Sequence, residues 1–238
     1  MSTPFSVIVD DFHNALVPLR EIVNGGQGKA SSARARVASV HAATLLLAAT
    51  FEEFVREMAR EYAVQVVTKA SSVSDLPDAL LDTAWRRTFD KFARSKLAGR
   101  PKREALEIFA KQARPAIDAL CTFIEGDISQ NIFDHLIHNE NNMRAGEING
   151  LFKVGGLPNV CAQACKQAEL KSFFETDDDG KAHGELLKAL EGFFERRNEI
   201  AHSLNSASSS APEEILRDVE MFGAFSRDLC KILEAKIT

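Results

Sequence analysis

Arg197, Asn198 and His202 stand in the run Glu195-Arg196-Arg197-Asn198-Glu199-Ile200-Ala201-His202, which sets a fixed cation, an amide and a titratable imidazole near the end of a predicted helix. Five residues separate Arg197 from His202, about 140° around an ideal helix, so these two do not share a face. Asn198 and His202, four apart, do share one, and the amide can orient or touch the ring. In the last turn the helix dipole favours the protonated imidazole, whereas Arg197 opposes it. An imidazole that both gives and takes a proton near neutrality is a general acid–base. Beside a permanent cation it suits attack of a ribose 2′-hydroxyl on the adjacent phosphate. That reaction needs a base for the hydroxyl, an acid for the leaving oxygen and positive charge at the phosphorane-like centre; these residue types supply them without a metal. One chain offers one such histidine here, so a two-fold pairing of chains would complete the set. The same residues also suit an ordinary solvated helix end with its basic groups facing the dipole.

The elements that must position this motif read as helix almost throughout. The periodicity predicts helices over Phe5–Val23, stopped by Asn24-Gly25-Gly26, and over Ser32–Val67, whose apolar stripe runs Val37, Val40, Thr44, Leu47, Phe51, Phe54, Val55, Met58, Tyr62 and Val66. A break at Ser74–Asp78 precedes a helix to about Leu97. Another helix from Lys102 to about Leu120 is expected to kink at Pro115. The middle, Glu125–Val160, is irregular; Ala162–Phe174 reads as one helix and Asp177-Asp178-Asp179-Gly180 as an acidic turn. The motif helix runs over about 183–202 on Leu186, Leu187, Leu190, Phe193, Phe194 and Ile200. A small polar loop, Ser203–Ser210, separates it from a final helix over about 211–236, opened by the capping box Ser210-Ala211-Pro212-Glu213. No strand pattern, repeat or glycine-rich phosphate loop is present. The expectation is an all-α chain, a single helical-bundle domain over 1–238 with an N-terminal helix and loop at 1–30.

Composition narrows the class. The chain has 238 residues, 45% hydrophobic and 26% charged, as in a folded globular protein. Its start lacks a basic n-region and no apolar run approaches the roughly 18 residues of a bilayer span, Ala42–Phe51 being too short, so a cytoplasmic protein without a membrane partner is expected. Cys121, Cys161, Cys165 and Cys230 show no disulfide framework and read as buried thiols, with Cys161 and Cys165 on one helix face. His135 and His138, with Asp134 and Glu140, have the spacing of a metal pair but no second pair to complete it, and no cofactor is implied. Glu52 and Glu53 read as the polar edge of the long helix, with catalytic carboxylates as the alternative, and His41 as a core or edge histidine. Between Arg86 and Arg114, ten basic residues stand against three acids, a local +7 on a chain of net −5. Arg86, Arg87, Lys91, Arg94, Arg100, Lys102 and Arg103 are candidate RNA contacts on this island, which also suits a solvated helix pair.

The Arg197-Asn198-x-x-x-His202 frame, followed by a loop and one more helix, resembles the signature of the HEPN superfamily. Thr44–Val55 in the long helix and Asn141-Asn142-Met143-Arg144 leading to Leu151–Leu157 are similar to its RiboL-PSP-HEPN-like bacterial branch. The resemblance implies an endoribonuclease active as a homodimer, with RNA as partner, in a family many of whose members serve as toxins or in defence against phage, some with an antitoxin or regulatory protein. Carried over, His202 is the general acid–base, Arg197 binds the scissile phosphate, Asn198 orients one of them, and Glu195 and Glu199 support by hydrogen bonding. A non-catalytic nucleotide-binding or protein-interaction module of the same fold is the alternative.

Overall fold

The computed structural model describes residues 3–28, 32–94, 101–133, 137, 142–202 and 211–237, except for the side chains of Lys91 and Arg94. Arg100, the acids and histidines at 134, 135, 138 and 140, and the predicted loop with its capping residue Ser210 lie outside them. Every regular element described is helical: α1 (Pro4–Gly26), α2 (Ala33–Lys69), α3 (Asp78–Arg94), α4 (Lys102–Ile108), α5 (Arg114–Ile124), α6 (Ala145–Val154), α7 (Val160–Ala164), α8 (Ala168–Phe173), α9 (Asp179–His202) and α10 (Pro212–Ile237). The expected all-α class is what the chain adopts.

Three local departures from the periodicity have physical causes. The kink expected at Pro115 is a π turn, Phe109–Ala113, joining α4 to α5. Proline lacks an N–H and crowds the carbonyl four residues back, and a widened turn relieves both. The predicted continuous helix Ala162–Phe174 is two short helices instead, so Cys161 lies within α7 while Cys165 caps its end. Asp228, buried in α10, accepts the backbone N–H groups of Glu169 at 3.3 Å and Leu170 at 2.8 Å, and this long-range cap opens a fresh helix. Finally, α9 begins at Asp179 because Asp178 Oδ1 accepts the Lys181 N–H at 2.6 Å. The acidic run is thus an N-cap and a first turn that complements the helix dipole.

The chain divides into two compact units. The first comprises Met1–Met58, Asn141–Gly150 and Asn159–Thr238. Its centre is α10, which buries Ile215, Val219, Phe222, Phe225, Leu229 and Leu233. Rings interlock around it: Phe51 lies 4.0 Å from Phe222 and 5.8 Å from Phe225, Phe193 lies 4.9 Å from Phe222, and Phe12 stacks on Phe54 at 4.4 Å. By length and composition α2 could cross a membrane; here its apolar face, Leu47 through Met58, is packed inside protein.

The second unit comprises Ala59–Glu140 and Leu151–Pro158. In it α3 packs on α5, burying Leu80, Ala84, Leu120 and Phe123. The Tyr62 ring lies against Phe152 and so close to Gly155 that a Cβ there would stand 2.8 Å from it and oblige the ring to shift.

Phe51 touches the most rings, so Phe51→Ala should lower unfolding free energy by about 3–5 kcal/mol, read as a fall in urea midpoint at unchanged slope; a midpoint within error of the parent would refute this centre.

Candidate functional site

Core packing sets the site residues at the edge of the first unit. Phe193 and Phe194 are fully buried on α9, and Arg197 and Asn198 follow each by four residues on the same faces. Both are consequently half-buried. The two consecutive arginines have different partners. Arg196 donates to Asp218 Oδ2 at 2.6 Å and pairs with Glu214 at 2.9 Å, fastening α9 to α10. Arg197 Nη1 donates to Asn198 Oδ1 at 3.1 Å, and the same oxygen accepts Nδ2 of Asn142 at 2.9 Å.

The Asn142-Met143-Arg144 segment laces this edge together. Asn142 reaches Asn198, and Arg144 forms an ion pair with Glu191 one and a half turns before Arg197. The Met143 N–H donates to the carboxylate of Glu52 on α2. Glu52 takes the edge position that the stripe predicts, and its surroundings are what the sequence did not show. Its neighbour Phe51 is wholly buried, yet the carboxylate is drawn in beside it with only 14% of the side chain exposed. Burial pushes its pKa up from the ordinary 4.5, against the opposing pull of Arg56, Arg197 and the Met143 N–H. Among the described residues Glu52 Oε1 and Arg197 Nε, like His183 Nε2 and Arg196 Nε, are buried without a hydrogen-bond partner. The available signal was a glutamate directly after a stripe phenylalanine in the middle of an apolar helix.

His202 is exposed in the last turn of α9. Glu199 is exposed as well. Glu195 is also exposed and, with Arg144, Leu187, Lys188 and Glu191, lines an open groove of about 530 Å³. The side-chain oxygen of Asn198 meets Arg197 and Asn142. Of the basic island, Arg86 is exposed and Arg87 half-buried on α3, and Lys102 and Arg103 are exposed on α4, Arg103 being paired with Glu107 at 3.5 Å. These residues belong to the second unit, whereas Arg197, Asn198, His202 and Glu52 belong to the first.

Asp218, which holds Arg196, has its pKa raised from 3.8 to about 6, because desolvation outweighs the attraction of Arg196. A carboxyl that binds its proton more tightly when folded contributes stability fully present below pH 3.8 and lost as pH rises through about 6. Relative to Asp218→Asn, the parent should lose about 2 kcal/mol of unfolding free energy between roughly pH 4.5 and 7.5. Urea titrations at both pH values measure it, and parallel curves for the two proteins would contradict it.

A family model described as RiboL-PSP-HEPN matches residues 19–235. No curated protein and no solved structure matches the chain.

Proposed function

The chain belongs to the RiboL-PSP-HEPN family, and from that premise we propose that it is a metal-independent endoribonuclease acting as a homodimer on RNA. The observation that supports this most is the anchored Arg197. Its guanidinium is half-buried, braced by Asn198 and Asn142 and faced by Glu52, and His202 follows in the exposed last turn. A guanidinium fixed in this way presents a preorganised charge where negative charge develops, and its fork matches a phosphate.

In the proposed reaction His202 takes the proton from a ribose 2′-hydroxyl. The 2′-oxygen forms a bond to the adjacent phosphorus, Arg197 stabilises the charge on the equatorial oxygens, and the P–O5′ bond breaks. A second imidazole, from the partner copy, protonates the leaving 5′-oxygen. The products are a 2′,3′-cyclic phosphate and a 5′-hydroxyl end. Asn198 and Glu52 act through Arg197 by fixing its position.

RNA incubated with the protein in EDTA should be cut to 2′,3′-cyclic phosphate ends. His202→Ala and Arg197→Ala, folded as the parent by circular dichroism, should each lower the rate by about a hundredfold or more. Intact RNA, or equal cutting by the variants, would sink the assignment in favour of a binding module. Glu52→Gln provides a separate check. Acidification protonates Glu52 and removes the counter-charge of Arg197, so the parent should show an acidic limb in kcat that the glutamine variant lacks. An unchanged pH profile would leave Glu52 a purely structural residue.

A further inference from the structure

Arg196 stands next to the motif arginine, yet its guanidinium is committed elsewhere. Nη2 donates to Asp218 Oδ2 at 2.6 Å, Nη1 pairs with Glu214 Oε1 at 2.9 Å, and the group lies 6.0 Å from the centre of the buried Phe193 ring. Side-chain exposure is 24% at Arg196 and 11% at Asp218. Glu214 and Asp218, four residues apart, share one face of α10, and each takes one arm of the fork. The stretch that this fork holds has no packed face of its own. From Glu195 to His202 no residue of α9 is fully buried, and two turns of helix without such a face are marginal in water. The fastening of Asn198 to Asn142 is a single hydrogen bond between neutral amides, whereas bonds between charged groups are roughly twice as strong.

His202 follows Arg196 by six residues, about 9 Å along the helix axis and roughly 120° around it. The fork therefore grips the side of α9 turned away from the imidazole and braces its turn without touching the ring. We propose that Arg196, gripped by Glu214 and Asp218, is a positioning residue: the fork fixes the axial position and rotation of the last two turns of α9, and so sets where the His202 imidazole stands relative to Arg197. This rests on reading His202 as the acid–base of an RNA-cutting site, and it adds the opening turns of α10 to that site. A contact that served stability alone would lower the unfolding free energy and leave the rate per folded molecule unchanged. A contact that places a reacting group acts on kcat, because a displacement of about 1 Å costs up to a hundredfold.

The test compares the full-length parent with Arg196→Ala, Arg196→Lys and Glu214→Ala near neutral pH, by hydrogen exchange followed in a mass spectrometer and by steady-state cleavage of one RNA in EDTA. In Arg196→Ala the amides of residues 198–202 should exchange about tenfold faster or more, while those of residues 186–194 keep the parent rate. Its kcat should fall about tenfold or more with KM within about twofold of the parent. Arg196→Lys, with one point charge for two carboxylates, should fall between Arg196→Ala and the parent in both measurements. Removing Arg196 leaves the buried Asp218 unpaired and can cost the fold. Glu214→Ala, at a partly exposed arm, then carries the test and should move exchange and kcat in the same direction by less. Unchanged exchange at 198–202, or unchanged kcat in the folded variants, would overturn the positioning role. So would a raised KM with kcat intact, which would make Arg196 a direct RNA contact. If the parent cuts no RNA the nuclease reading fails, and the fork stands or falls by the exchange of residues 198–202 alone.

Discussion

Close contact between the Phe51 and Phe222 rings, at 4.0 Å, is the constraint from which the site follows. Successive residues on a helix point about 100° apart, so a wholly buried Phe51 forces Glu52 to the rim of the core. The same logic runs along α9, where Phe193 and Phe194 fill the core and Arg197 and Asn198 inherit their faces one turn later. Two helices thus bring polar residues to one edge because their phenylalanines are registered against a third. A shift of either helix by one residue would rotate the carboxylate or the guanidinium into solvent.

Half-burial then makes the charges depend on each other. Glu52 loses hydration beside Phe51, and its carboxyl titrates above the ordinary range even though Arg56 and Arg197 attract its anion. Desolvation is the larger effect there, as it is at Asp218. A lysine at 197 would present one point charge on a flexible stem, whereas the guanidinium can meet Asn198 with one nitrogen and keep its remaining donors for other acceptors. Asn198, accepting from both Asn142 and Arg197, ties the segment before α6 to the motif helix.

How much of this was legible depends on whether the deciding interaction is local. The stripes of α2 and α10 were, because periodic burial repeats over many turns; Phe51, Phe54, Met58, Phe222 and Leu229 are all core as the pattern requires. The widened turn at Pro115 was legible as a kink, since proline's missing donor acts within four residues. The break between α7 and α8 was not. It is imposed by Asp228, 58 residues from Leu170 in sequence, and nothing near Gln167 announces it. The edge position of Glu52 was legible from the stripe, whereas its neighbours Met143 and Arg197, distant in sequence, were not. The motif spacing singled out Arg197, but nothing local showed that its neighbour Arg196 is held apart by Asp218 and Glu214.

That separation bears on how α9 can work. Beyond Phe194 no residue of α9 is fully buried, so its final two turns are held by polar contacts rather than by the core: Arg196 to α10, and Asn198 to Asn142. His202 lies six residues past Arg196, about 9 Å along the axis, in an exposed turn. A guanidinium that must meet developing charge gains from being fixed, because reorganisation during the reaction would cancel its advantage. An imidazole that must exchange protons gains from access. The anchors Arg196 and Asn198 flank Arg197, so the half-buried guanidinium stands on the core side of α9 and the exposed imidazole beyond them on its solvent side.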